Sequence, residues 1–158
     1  MWRVAQVLDP AQDQTWIAVL DSYARDPMGG GEGLADEVRA RLGEALAAIP
    51  GAVVLLAYGA QGEPVGLATA FMGFSTFAAK PLLNIHDLAV LPAYRRQGVG
   101  QALMDALAQL AGQRGCCKLT LEVLSENRAA QGAYRKAGFA PYSLDEATGL
   151  AQFWQKYL

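Results

Sequence analysis

The chain has 158 residues, 53% of them apolar and 18% charged, which suits a single domain spanning residues 1–158 and excludes a disordered chain. A net charge of −2 and an isoelectric point of about 5.3 exclude a sequence-independent grip on nucleic acid, which needs a basic surface. The longest apolar run, Ala52–Tyr58, falls far short of the ~20 residues that cross a bilayer, and Gln6, Asp9, Gln12 and Asp13 interrupt any signal-peptide core; a cytoplasmic protein with no membrane partner is expected.

Trp2–Val7 reads as a first strand, β1. Asp9 and Pro10 supply an N-cap and a first-turn proline for a helix, α1, running on through Trp16, Ile17, Leu20 and Tyr23 at helical spacing. Pro27 and Gly29–Gly31 break the pattern and predict a mobile loop. A second helix, α2, carries Leu34, Val38, Leu42, Ala45, Leu46 and Ile49 on one stripe until Pro50-Gly51 ends it. Two β-rich runs, Ala52–Tyr58 (β2) and Val65–Phe74 (β3), flank hairpin punctuation and predict an antiparallel pair.

Leu82–Leu91 is a further strand, β4, closed by Pro92. From Gly100 a helix, α3, turns Leu103, Leu107 and Leu110 inward and Gln101, Asp105, Gln109 and Gln113 outward, with Gly115 as its stop. Residues 116–124 alternate Cys117, Leu119, Leu121 and Val123 against Lys118, Thr120 and Glu122, the period of a strand, β5. A short helix, α4, capped by Ser125 or Asn127, runs through Ala137 to Gly138. Ala140–Leu144 and Leu150–Leu158 are two last strand candidates. An antiparallel hairpin followed by a parallel β4-α3-β5 crossover predicts a mixed α+β domain with a central, mostly antiparallel sheet.

Cys116 and Cys117 are adjacent, so neither a disulfide framework nor a spaced metal site is expected, and the lone His86 has no second histidine with which to share a metal. Two arginines, Arg95 and Arg96, lead into Gly98 and Gly100 at the opening of α3. A dinucleotide fingerprint would need a third glycine where Leu103 stands, and a Walker loop would need Gly-Lys-Ser/Thr; neither is present. What remains is a set of backbone N–H groups at a helix N-terminus beside fixed cations, which matches a pyrophosphate. Glycine at positions 98 and 100 would allow φ > 0 and close approach.

The stretch from Ile85 to Phe139 closely resembles the acetyl-CoA-binding region of the GNAT superfamily of N-acetyltransferases. The resemblance lies in the Arg-x-x-Gly-x-Gly loop (Arg95, Gly98, Gly100) and the later Asn…Tyr…Gly-Phe segment (Asn127, Tyr134, Gly138, Phe139). It implies a V-shaped cleft between β4 and β5, with pantetheine along Leu88, Ala89 and Val90 and a backbone N–H near Val90 for the oxyanion. It also implies that the amides of Gln97, Gly98, Val99, Gly100 and Gln101 hold the pyrophosphate, with Arg95 and Arg96 adding charge, while Asn127 meets the pantetheine arm. Arg128, Arg135 and Lys136 are candidates for the adenosine 3′-phosphate.

Acetyl transfer to an amine through a tetrahedral intermediate needs a neutral amine and a proton for the departing thiolate. An amine of pKa about 10.4 is neutral at pH 7 in about one molecule in 2,500, a handicap of about 4.6 kcal/mol, so alkyl amines need a base or a desolvating pocket. Glu122 is the first candidate base, resembling a glutamate of the superfamily's peptide N-terminal acetyltransferases; Asp87 is the second and His86 the third. Tyr134 resembles the family's general acid. Residues 1–50 carry eight carboxylates against four arginines, and residues 51–158 seven against nine bases, so a cationic acceptor suits the first half and an anionic cosubstrate the second. Phe71, Phe74, Phe77 and Tyr23 are candidate walls for that acceptor. The expected activity is transfer from acetyl-CoA, with no metal, to a small-molecule amine or amino acid. The alternatives are a peptide or protein N-terminus or lysine as acceptor, and a non-catalytic acyl-CoA sensor. Phe153, Trp154 and Tyr157 are candidate contacts for a homodimer.

Overall fold

The structure, a computed structural model, describes residues 1–145 and 147–158. They form two compact units, Met1–Leu121 and Glu122–Leu158.

In the first unit the strands are β1 (Arg3–Gln6), β2 (Val53–Tyr58), β3 (Pro64–Ser75), β4 (Lys80–Val90) and β5 (Leu119–Leu121), lying in chain order across one sheet. β1 to β4 pair antiparallel and β5 pairs parallel to β4, the mixed architecture that the order of elements predicts. β2 is buried along nearly its whole length because both faces of the sheet are covered. Val54 and Leu56 point to one face, where they meet Trp16 and Ile17 of α1 (Thr15–Ala24) and Leu46 of α2 (Asp36–Ala47). The other face takes α3 (Val99–Gln113), whose Leu103, Met104 and Leu107 are buried. Gly66 makes that contact close: a β-carbon there would lie 2.7 Å from Val99 Cγ1.

Several boundaries differ from the sequence expectation, each for a local reason. Asp9 does not cap α1. Its Oδ1 accepts the N–H groups of Ala11 and Gln12 in a turn of its own, and the helix starts only at Thr15, whose N–H and hydroxyl both donate to Asp13 Oδ1. Leu34 lies outside α2 because its N–H donates to Asp21 Oδ1 at 2.7 Å. The glycine-rich segment is an organised turn: Pro27–Gly29 is a single 3-10 turn capped by Asp26, whose side chain accepts from Met28 N–H and whose carbonyl accepts from Gly29 and Gly31.

β5 is three residues long, so Glu122 lies beyond the strand rather than on its face. Its pairing with β4 ends at Ile85, opposite Leu121. The next residue of β4, His86, is the extra residue of a β-bulge, since Ile85 faces Ala70 and Asp87 faces Thr69; such a bulge bends a strand and raises its twist.

The second unit holds α4 (Arg128–Lys136). Asn127 is its N-cap, Oδ1 accepting Ala130 N–H at 3.1 Å. Its end is a Schellman motif: Phe139 N–H donates to Tyr134 O, Gly138 N–H donates to Arg135 O, and Gly138 sits at φ +92°. The two expected terminal strands are not present among the described residues. Ala140–Leu144 and 150–158 share only an isolated bridge between Ser143 and Leu150. Pro141 has no N–H to give a ladder, and the apolar residues of the last segment do not alternate.

Candidate active site

β4 leads into the loop that the glycines mark. After Val90 a 3-10 turn, Pro92–Tyr94, places Arg95 in extended conformation and Arg96 at φ +62°. Gly98, at φ +88°, is the N-cap of α3. The first intrahelical bond is Ala102 N–H to Gly98 O, so the N–H groups of Val99, Gly100 and Gln101 have no acceptor within the helix. The two glycines differ in kind. Gly98 is needed by the backbone, which no β-carbon tolerates cheaply at that φ, whereas Gly100 has no positive φ, contrary to expectation. A β-carbon on Gly100 would meet nothing nearer than Val90 Cγ2, at 3.8 Å, so the protein's own packing does not require glycine there.

The loop is pinned from a distance. Gln97 O accepts the indole N–H of Trp2 at 2.8 Å, and Gln97 Nε2 donates to Ala93 O at 2.8 Å. The Trp2 ring stands edge-on to Tyr94, whose hydroxyl donates to Glu63 Oε1 at 2.8 Å. That bond holds the Glu63 carboxyl below its usual range. Arg95, although exposed, is held by two bonds: Nε donates to Val90 O at 3.1 Å and Nη2 to Asp26 Oδ2 at 2.8 Å. Arg96 is exposed.

The register of β4 decides which of its amides are on offer. Leu91 N–H donates to Val65 O, and antiparallel ladders alternate, so Ala89 and Asp87 turn their main-chain groups toward β3. Leu88 and Val90 turn theirs to the opposite edge, past the last pair with β5. Within the segment expected to meet pantetheine, Ala89 is therefore committed to the sheet.

Side chains alternate as well, and Asp87 points to the α1/α2 face. There it lines a cavity of about 330 Å³ with Trp16, Leu20, Tyr23, Val38 and Phe71. The Thr69 hydroxyl donates to Asp87 Oδ2. Among the described residues, Thr69 is the buried polar side chain of the core, and a lone hydroxyl inside an apolar strand is the mark that the sequence carries of it. Burial, with the charges of Asp87 and Asp26, pushes the Tyr23 phenol up, so it stays a donor. His86, carried outward by the bulge, packs edge-on to Phe71 at 5.5 Å. Phe74 and Phe77 do not reach the cavity and are exposed. The acidic residues of the first half are largely spoken for. Asp21 accepts Leu34 N–H and pairs with Arg25 and Arg39, and Asp26 accepts Met28 N–H and pairs with Arg95; both are held below the usual carboxylate range.

In the second unit, Tyr134 is half-buried, with its ring 6.0 Å from that of Phe139. This is the side-chain contact that accompanies a Schellman motif, so Gly138 and Phe139 act to hold Tyr134. Asn127 Oδ1 is engaged by its own helix. Glu122 is exposed, as are Arg128, Arg135 and Lys136. Among the described residues, no group of three or more His, Cys, Asp or Glu could hold a metal ion, and no helix is long and apolar enough to cross a membrane.

Residues 16–139 match the acetyltransferase (GNAT) family. Similar proteins include a streptothricin acetyltransferase of Streptomyces lavendulae, 40% identical over 58% of this chain and 47% of that one. Another is a thialysine N-epsilon-acetyltransferase of Bos taurus, 34% identical over 57% of this chain and 54% of that one. The chain thus spans about half the length of these relatives. Among solved structures, a probable acetyltransferase superposes with a TM-score of 0.79 at 19% identity, covering 97% of this chain and 99% of that one. An aminoglycoside acetyltransferase from an uncultured soil metagenomic sample, in complex with sisomicin, superposes with a TM-score of 0.76 at 18% identity, covering 99% and 97%.

Proposed function

Because the chain belongs to the acetyltransferase (GNAT) family, we propose that it is an acetyl-CoA-dependent N-acetyltransferase acting on the primary amine of a small molecule. One observation carries the reading: a single strand, β4, joins an acceptor-sized cavity to an anion-binding helix N-terminus. Asp87 lies in the cavity wall and Val90, three residues on, lies at the entrance to the glycine loop, a span of about 10 Å along the strand.

The amides from Gln97 to Gln101 suit a diphosphate, and the space left at Gly100 suits its approach. Arg96 supplies charge there, while Arg95 braces the loop through Val90 O and Asp26. The main-chain groups of Leu88 serve the pantetheine arm, and the N–H of Val90, whose carbonyl is taken by Arg95 Nε, serves the developing oxyanion. Asn127 keeps its amide NH₂ as a donor for the same arm, since its oxygen caps α4. Acetyl-CoA supplies a thioester open to attack by a neutral amine. Asp87, oriented by Thr69, takes the proton of the bound ammonium, with Glu122 as the alternative base, and Tyr134 donates to the leaving sulfur.

Calorimetric titration with acetyl-CoA, ATP and NAD, followed by thiol release over a panel of amines, tests this. Acetyl-CoA is expected to bind best and at least one amine to release thiol. Tighter binding of ATP or NAD, or binding of acetyl-CoA with no turnover on a broad panel, overturns the reading.

A further inference from the structure

Resting on the acetyltransferase reading above, we propose that the cavity between α1, α2 and the sheet takes a monoamine with an apolar arm, its one ammonium against Asp87, and discriminates against polycations. The walls decide this. Trp16, Leu20, Val38, Leu42 and Phe71 present hydrocarbon, and Asp87 is the carboxylate that lines the space. A polycation brings further ammonium groups that need a partner or water when buried. The nearby acids do not provide one: Asp21 is held by Leu34 N–H, Arg25 and Arg39, and Asp26 by Met28 N–H and Arg95.

Size and polarity point the same way. A volume of about 330 Å³ sits at the low end for ligand pockets and equals about eleven water volumes. That is room for one ring and a short arm. A peptide would bring several backbone amides into the cavity, each wanting a hydrogen bond, and beyond Asp87 the polar side chains on the wall are Thr69, whose hydroxyl is given to Asp87, Tyr23 and His86. Thr69 holds the Asp87 carboxylate in one orientation, and Tyr23 keeps its proton beside it. An ammonium seated there meets a fixed acceptor with aromatic surface behind it, an arrangement that also favours cations over rings.

The test uses the full chain and four probes: 2-phenylethylamine, spermidine, an aminoglycoside and an alanine-led tripeptide. Calorimetry without acetyl-CoA reads the pocket alone; thiol release with acetyl-CoA reads the reaction. Phenylethylamine is expected to bind at least tenfold tighter than spermidine or the aminoglycoside, with a negative heat-capacity change. Asp87→Asn weakens it at least tenfold. Val38→Trp, a change at a position 43% exposed and therefore compatible with folding, weakens it by filling the rim. Turnover favouring spermidine, the aminoglycoside or the tripeptide overturns the monoamine assignment and leaves acetyl transfer standing. Phenylethylamine binding that Asp87→Asn abolishes supports the pocket assignment, and if no thiol is released from these probes or from the broad amine panel, the enzymatic reading is overturned. No phenylethylamine binding, or binding indifferent to both substitutions, overturns the assignment.

Discussion

Arg95 and Asp26, 69 residues apart in the chain, are joined by a hydrogen-bonded ion pair of 2.8 Å. Arg95 belongs to the glycine loop and also holds Val90 O; Asp26 caps the turn that follows α1. One guanidinium therefore ties the glycine loop to the turn that follows α1. The pair is partly exposed, so its loss costs only about 0.2–1 kcal/mol of stability. Arg95→Ala is expected to leave the melting temperature within a few degrees and to raise the KM for the amine about tenfold through misplacement of that turn. Steady-state kinetics check this, and an unchanged KM would mean that the loop and the turn are held independently.

The same acids set the response to acid. Asp26 is depressed chiefly by Met28 N–H and then by Arg95, and Asp21 chiefly by Leu34 N–H and then by Arg25. A carboxyl whose folded pKa lies below its unfolded value, about 3.8, contributes stability that is present above that value and lost as pH falls through the folded pKa. Melting temperatures measured from pH 6 down to 3 are expected to drop most steeply below about pH 4. Asp26→Asn is expected to flatten that acid limb; the same slope in the variant would contradict the assignment.

Gly98 and Gly100 are expected to separate backbone need from ligand need. Gly98→Ala forces a β-carbon into φ +88°, at a cost of roughly 1–2 kcal/mol, and weakens acetyl-CoA as the loop distorts. Gly100→Ala leaves the fold as stable or up to about 1 kcal/mol more so, because alanine is the better helix former, yet weakens acetyl-CoA at least tenfold. Thermal melts paired with calorimetry decide it, and equal behaviour of the two variants would remove the diphosphate from this helix end.

Tyr134 gives the catalytic prediction. Tyr134→Phe keeps the ring contact with Phe139 and removes only the hydroxyl, so kcat is expected to fall about 100-fold, within the range for a lost general acid, with the Kd for acetyl-CoA unchanged. Phe139→Ala keeps the hydroxyl but removes the ring 6.0 Å away, and is expected to lower kcat by a smaller factor. Parallel losses of kcat and affinity in Tyr134→Phe would make the ring a packing residue.

How far the sequence carried depends on the range of the interaction. The alternation of Leu119 and Leu121 located β5, and the glycines located the start of α3, because both signals are written within a few residues. The end of β5 was not legible: the β4 bulge at His86 is a property of register against Thr69 and Ala70, with no mark in the local pattern. Asp9 carried a true capping signal but closed a different turn, since side-chain bonds to nearby N–H groups serve turns and helices alike. The partners that shape the site, Trp2 with Gln97, Asp26 with Arg95 and Thr69 with Asp87, lie far apart in the chain. The Asn…Tyr…Gly-Phe segment was legible and acquires a structural meaning beside its functional one: Gly138 and Phe139 close α4 and hold Tyr134.

The proposed activity depends above all on main-chain N–H groups at the opening of α3 holding the diphosphate of acetyl-CoA. Backbone ¹H–¹⁵N shifts recorded as coenzyme A is titrated into the labelled full chain test it most directly. The largest shifts are expected at Gly98, Val99, Gly100 and Gln101, and they should shrink when the diphosphate is absent and pantetheine alone is added. Unmoved amides at these four positions, with saturable shifts elsewhere, would contradict it.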